Sequence, residues 1–368
     1  MTTPALQRLR EALPNTHITL LTHEKLSGLW ASHSCLDDLL HFAPDESVLS
    51  VAGRIRGGKF DAALILPNSP RSALESWLAG VPRRIGYARP WRNFCLTRRV
   101  ADRPESVRMV KRSAEEIQKL VSHPREQIRR PEIVGRAHQI HEYLHLATAL
   151  DANPEPLAPF IVVRPDELRT AAAQFGLAAP AEASPAALES PLFGLNAGAE
   201  YGPAKRWPVE RFISVAAEIQ ARTNCRWLVF GGPNDESLGA EVAAGIVKSA
   251  AQRSPNSPPQ VLNLAGKTSL RELCILLKLC KVLLTNDSGP MHVAAAVGTP
   301  VVVPFGSTSP ELTGPGLPGS EAHKILRANA PCSPCFLRVC PIDLRCMTAI
   351  AENQVVDAVL TAAGQPTA

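Results

Sequence analysis

The chain has 368 residues, of which 45% are hydrophobic, 20% charged and 5% aromatic, and its formal net charge is +5. At about 150 residues per domain it has room for two domains, each with its own core. No apolar run approaches the ~20 residues that cross a bilayer, Met1 to Pro14 lacks the apolar centre of a signal peptide, and no stacking motif suits nucleic acid, so the expectation is a soluble cytoplasmic protein with no nucleic-acid partner.

In chain order, TTPALQRLREALP has apolar residues at helical spacing and stops at Pro14. HITLLTH reads as a strand, LDDLLHF as a helix-to-strand approach, and FDAALILPN as another strand, while ALESWLAGVPRRIGY gives a helix, a stop at Gly80 and a strand around Ile85. Glu115 to Ala149 is polar and then helical, DANPEPLAPF is a proline-rich passage, and AAPAEASPAALESP is a low-complexity linker. A second alternation follows: a strand at LFGLN, a helix at WPVERFISVAAEIQ, a strand at CRWLVF, a helix from about Glu236, a strand at VLNLAG and a helix at SLRELCILLKLC. Strands that alternate with helices predict an α/β protein with parallel sheets, here two Rossmann-like halves. The expected boundaries are 1–165, a linker at 166–190, a second domain at 191–349 and a C-terminal helix and tail at 350–368. A ligand is expected between the halves, at the carboxyl ends of the second set of strands.

TNDSGPMHVAAAVGTPVVVPFG, from Thr285, places a polar island between two apolar strands. It reads as a strand-to-helix corner with Asp287 or Ser288 capping the helix, Pro290 in its first turn and Gly298 ending it. Unpaired N–H groups and the helix dipole suit such a corner to phosphate. Two other loops, NAGAEYGPAKRWP from Asn196 and FGGPNDE from Phe230, also follow a strand and precede a helix, so all three belong at one sheet edge. Lys205 supplies a point charge for a diphosphate, and Gly198 lets backbone approach a ligand. In the N-terminal half Arg83, Arg84, Arg89, Arg92, Arg98, Arg99, Arg103, Arg108 and Arg112 fall within thirty positions, either a solvated face or an attractor of an acidic substrate or an anionic membrane surface.

The segments LPNSPRSALESWLAGVPRRIGY, KRWP, FGGPND and NDSGPMHVAAAVGTPVVVPFGSTSPELTGP together make the chain resemble the heptosyltransferases of glycosyltransferase family 9, from Thr2 to about Ile350. The resemblance implies a GT-B fold of two Rossmann-like domains facing each other, inverting transfer without metal or other cofactor, an ADP-heptose donor in the C-terminal half and a lipopolysaccharide inner-core acceptor in the N-terminal half. It assigns donor binding to Asn196, Gly198, Lys205, Gly231, Asp287, Ser288, Gly289 and His292, with Asp287 accepting from sugar hydroxyls and His292 either orienting donor oxygens or packing. Acceptor binding falls to Asn68, Ser69, Arg71, Arg84 and Tyr87, and peripheral contact with the anionic inner-membrane surface is expected. Other nucleotide-sugar transferases of the family, and a binding fragment without turnover, remain alternatives.

The sequence departs from the family at its start, because Met1 lies inside the helix that follows the family's first strand and its Gly-Asp loop. The expectation is that this strand is missing and that the general-base aspartate lies upstream of Met1. Two competing signals stand beside this reading. HEYLH, His141 to His145, matches the H-E-x-x-H zinc pattern of metalloproteases. Cys332, Cys335, Cys340 and Cys346 could hold zinc or an iron–sulfur cluster, against the simpler expectation of partly buried thiols.

Overall fold

The computed structural model describes residues 1–123, 135–177, 190–253 and 260–365, so the low-complexity linker lies outside the described residues apart from its last positions. The chain forms two compact units, Met1–Val107 with Arg136–Pro159, and Arg108–Gly135 with Phe160–Ala368. The N-terminal unit therefore ends earlier than the expected 165, and residues 108–135 belong with the C-terminal one.

In the first unit, helix α1 (Thr3–Ala12) buries Ala5, Leu6 and Leu9, as its apolar spacing requires, and packs on α5 (Gln139–Ala147). Strands β1 (Thr19–His23) and β2 (Asp38–Phe42) pair in parallel with Thr19 opposite Asp38. A separate parallel sheet holds β3 (Ala62–Ile65), β4 (Arg83–Tyr87) and β5 (Arg98–Val100). Helix α2 (Val48–Gly57), absent from the sequence reading, is capped by the Ser47 hydroxyl and packs Val51, Ala52 and Ile55 near Leu21, Phe42 and Ala63, so it lies against strands of both sheets. Helix α3 (Pro70–Leu78) starts at the Ser69 cap with Pro70 at its first position, where a missing N–H costs nothing.

The second unit is built on six parallel strands: β6 (Leu192–Asn196), β7 (Arg226–Val229), β8 (Val261–Asn263), β9 (Val282–Thr285), β10 (Val301–Phe305) and β11 (Lys324–Arg327), in the spatial order β11-β10-β9-β6-β7-β8. Every residue of β6, β9 and β10 is buried, which is why these strands read as unbroken apolar runs. Helices α4 (Ala114–Ser122), α6 (Pro165–Gln174), α7 (Val209–Thr223), α8 (Glu236–Arg253), α9 (Leu270–Leu279), α10 (Gly289–Val297), α11 (Pro310–Thr313), α12 (Arg345–Thr348) and α13 (Glu352–Ala362) complete the unit. Helix α6 occupies the first part of the expected linker, and α13 packs its Val355, Val356 and Val359 into the main core beside Trp227 and Val302. From β6 the chain winds outward through β7 and β8, then returns to the other side of β6 as β9. Carboxyl ends of β6 and β9 therefore flank the topological switch point, where open α/β sheets bind ligands.

Candidate functional site

At that switch point two asparagines cross-link the loops. Asn286 is fully buried and receives the Trp207 N–H at 2.9 Å while its own amide donates to the Ala197 carbonyl at 2.7 Å. Asn196 donates from its amide to Thr285 Oγ1 at 3.0 Å, Ser288 Oγ at 3.1 Å and the Gly198 carbonyl at 3.3 Å. The loops after β6 and β9 are thus held by side chains, with no backbone slack between them.

This frame brings Lys205 to Asp287, with Nζ 2.6 Å from Oδ2. Asp287 is almost wholly buried, and the Thr308 hydroxyl donates to the same oxygen at 2.5 Å. The Lys205 ammonium also stands 4.9 Å from the centre of the Tyr201 ring, a cation–π distance. Ser288 occupies the N-cap position of α10, yet its hydroxyl donates back to the Asn286 carbonyl at 3.1 Å and makes no cap bond to the helix. Asp287 does not cap either, being committed to Lys205 and Thr308. The expected side-chain cap from Asp287 or Ser288 is therefore absent, and neither residue offsets the dipole at the first turn of α10. A side chain at Gly289 would meet nothing within 4 Å, so the approach to that turn is open. His292 sits half-buried at the end of that first turn.

Gly198 and Gly231 have a packing reason to lack side chains, because a Cβ at either would come within 3 Å of Asp235. Asp235 in turn accepts from the Gly232 N–H at 3.1 Å and closes its own loop. The sequence reading missed the support beneath Lys205. Arg338 donates from Nε to the Tyr201 carbonyl at 2.6 Å, its own carbonyl accepts from the Ala204 N–H at 3.0 Å, and the Tyr201 hydroxyl donates to the Phe336 carbonyl at 2.8 Å. The cysteine-bearing segment is thus the floor of the lysine loop. Cys332, Cys335 and Cys346 are buried and Cys340 half-buried; the first two pack on Ile117 of α4. Burial, and then the neighbouring thiols, push Cys346 up to about 12. Among the described residues no group of three His, Cys, Asp or Glu is arranged to hold a metal.

In the first unit, Asn68 and Ser69 follow β3 at its carboxyl end, as expected, and Ser69 caps α3 through a 3.2 Å bond from the Ser72 N–H. Arg71 is held by Glu75 at 2.7 Å. Arg84 and Tyr87 are placed differently from the expectation of acceptor contact: Arg84 gives its guanidinium to the carbonyls of Cys95 and Val81, and Tyr87 is buried with its hydroxyl on the Glu142 carbonyl at 2.6 Å. A further arginine lies beneath the 67–69 loop. Arg92 is 1% exposed, donates to the Pro67 carbonyl, and leaves Nε and Nη2 without a hydrogen-bond partner. HEYLH lies on α5, but Glu142 is paired with Arg103 at 3.3 Å, and the His145 ring stacks on Tyr87 and meets the Ala101 carbonyl at 3.3 Å. Glu142 serves ion pairing and His145 ring packing there.

The model of the family described as Glycosyltransferase family 9 (heptosyltransferase) matches residues 48–345. Lipopolysaccharide heptosyltransferase 2 of Escherichia coli is 32% identical over 272 residues, 71% of this chain and 64% of the relative, so the chain spans just under two thirds of that relative's length. Lipooligosaccharide heptosyltransferase 2 of Haemophilus influenzae is 28% identical over 84% of this chain and 80% of its own. Among solved structures, that of the E. coli ADP-heptose lipopolysaccharide heptosyltransferase II superposes with a TM-score of 0.71 at 24% identity, covering 98% of this chain and 94% of the other. A family 9 glycosyltransferase from Veillonella parvula also gives 0.71, at 23% identity.

Proposed function

The chain belongs to glycosyltransferase family 9, the heptosyltransferases, and from that premise we propose that it transfers heptose from ADP-heptose to the inner core of lipopolysaccharide, on a heptosyl-Kdo-lipid A type of acceptor. The observation that carries the reading is Lys205, paired with buried Asp287 beside the uncapped first turn of α10. A diphosphate at that turn meets helix amides, an open approach at Gly289 and one mobile cation. Lys205 is stored on Asp287 and turns toward the phosphates as they arrive, while Asp287, held by Thr308, accepts from sugar hydroxyls. As the acceptor hydroxyl bonds to the anomeric carbon, giving up its proton to a general base, the bond to the diphosphate breaks and negative charge grows on the leaving oxygens, where the ammonium and the helix dipole meet it. The ammonium and the helix dipole supply the electrostatic help that the departing diphosphate needs, which suits transfer without an added metal, and inversion is carried over from the family resemblance.

Asn196 and Ser288 fix the loop geometry, Gly198 and Gly231 belong to donor-side loops in which they make room for Asp235, and His292 lies on the same turn as the phosphate site. Asn68, Ser69 and Arg71 at the sheet edge of the first unit are the acceptor contacts this reading retains. A lipid acceptor sets the enzyme to work in the cytoplasm at the inner-membrane surface. ADP release from ADP-heptose with a heptosyl-Kdo-lipid A acceptor tests the proposal. We expect turnover unchanged by EDTA and reduced about 100-fold in kcat/KM by Lys205→Ala. A different sugar nucleotide used in preference, or full activity in Lys205→Ala, would overturn it.

A further inference from the structure

Residues 76–101 contain six arginines and no aspartate or glutamate, and the same stretch carries three large aromatic side chains in water: Trp91 is 81% exposed, Phe94 67% and Trp77 44%. Trp77, near the end of α3, and Phe94, in the short 3₁₀ turn after β4, meet edge to face with ring centres 6.3 Å apart. They form one apolar surface. Two exposed arginines border it. Arg56, at the end of α2, donates to the carbonyl of Leu78 beside Trp77, and Arg99 donates at 3.2 Å to the carbonyl of Asn93 beside Phe94. Neither has a carboxylate within ion-pair distance among the described residues, whereas Arg71, Arg89 and Arg103 of the same unit are each paired with an acid.

Exposed aromatic rings cost a folded chain hydration and gain it nothing unless something covers them. Indole and phenyl rings ringed by arginines, without acids, have the chemistry of a membrane interface: rings enter the headgroup level and guanidinium groups meet lipid phosphates. Pairing of two copies through this face would set arginine against arginine, which disfavours self-association. The edge-to-face pair of Trp77 and Phe94 also offers no stacked platform for bases.

We propose that the face formed by Trp77, Phe94, Arg56 and Arg99, with exposed Trp91 three residues before Phe94 in the same loop, docks on an anionic lipid surface. The inference builds on the proposed lipid-linked acceptor, because a chain anchored there meets its acceptor by diffusion within the membrane plane.

Co-sedimentation of the full chain with phosphatidylglycerol-containing vesicles and with phosphatidylcholine vesicles tests it. We expect binding to the anionic vesicles, weakened about tenfold or more by Trp91→Ser with Phe94→Ser, and separately by Arg56→Gln with Arg99→Gln, and lowered by salt. ADP-heptose binding and transfer to a water-soluble, delipidated acceptor should be unchanged in both variants. Those two readouts separate this surface from the proposed reaction, since either can fail alone. Vesicle binding that survives both double substitutions, or that ignores lipid charge, overturns the docking face; so does a wild-type chain that self-associates through it or prefers RNA to the vesicles.

Discussion

Asn286 shows how much of the site rests on a single side chain. It is fully buried and satisfies one donor on Trp207 and one acceptor on Ala197, residues 79 and 89 positions away. Asn286→Ala strands both groups, and a buried unpaired backbone group costs about 1–3 kcal/mol. We therefore expect a loss of about 2–6 kcal/mol in urea unfolding, by the same rule for two groups, together with weaker donor binding because the lysine loop loses its tether. Unchanged stability would mean that other contacts hold the loop. The polar island around Asn286 was legible in the sequence because charged and amide groups interrupt an apolar run. Its division of labour was not: Ser288 reads as a cap from its place before Pro290, whereas its hydroxyl turns back to Asn286 and Asn196. Local spacing identifies a helix start, but partners that arrive from another strand decide where a hydroxyl points.

Among the elements, the segment from Cys332 to Cys346 has the clearest structural use. It underlies the lysine loop, and Gly202 permits the contact: its φ of 152° lies in the region that favours glycine, and a Cβ there would sit 2.4 Å from the Arg338 carbonyl oxygen. Gly202→Ala should lower stability by about 1–3 kcal/mol through strain and displaced packing, and should weaken ADP-heptose binding; calorimetry and urea unfolding measure the two effects separately. The spacing of the cysteines suggested metal chemistry as an alternative, while burial explains their character as thiols. Eight of the nine cysteines are buried and Cys340 is half-buried. Iodoacetamide should therefore modify Cys340 first in the native chain and the others only in denaturant. Protection of Cys340 that a chelator removes would instead favour a bound metal. Helix α2 went unread because its apolar residues, Val51, Ala52 and Ile55, are too few and too closely flanked by polar ones to stand out. By contrast, α9 was plain from its buried run Cys274 to Leu277, and β9 and β10 from the burial of every residue.

At the scale of the molecule, the alternation of strands and helices made the α/β class legible, and the parallel sheet of the second unit follows from it. The return of residues 108–135 to that unit was not legible, because Arg112 and Ile117 are fixed by the distant Cys335 segment and by no local pattern. Half-buried histidines give the fold a pH dependence of known sign. Burial holds His141 and His323 below the ordinary histidine range, so the unfolded chain binds protons more readily. Stability is then full above about pH 6.5 and falls as pH drops below it. Glu167, depressed by its bond to Arg271, adds a further loss as pH falls through the carboxylate range. Urea midpoints measured from pH 8 to pH 5 should decline on the acid side, and a flat profile would contradict the assignment.

The central claim is that the corner between β9 and α10, with Lys205, holds the diphosphate of an ADP-activated heptose. Calorimetric titration of the chain with ADP-heptose, beside ADP and a UDP-sugar, tests it most directly. The account predicts that ADP-heptose binds best and that Lys205→Ala weakens it at least about tenfold, as loss of a charge-assisted contact should. A folded chain that binds none of the three, or a Lys205→Ala variant that binds ADP-heptose as tightly as the parent, would contradict it.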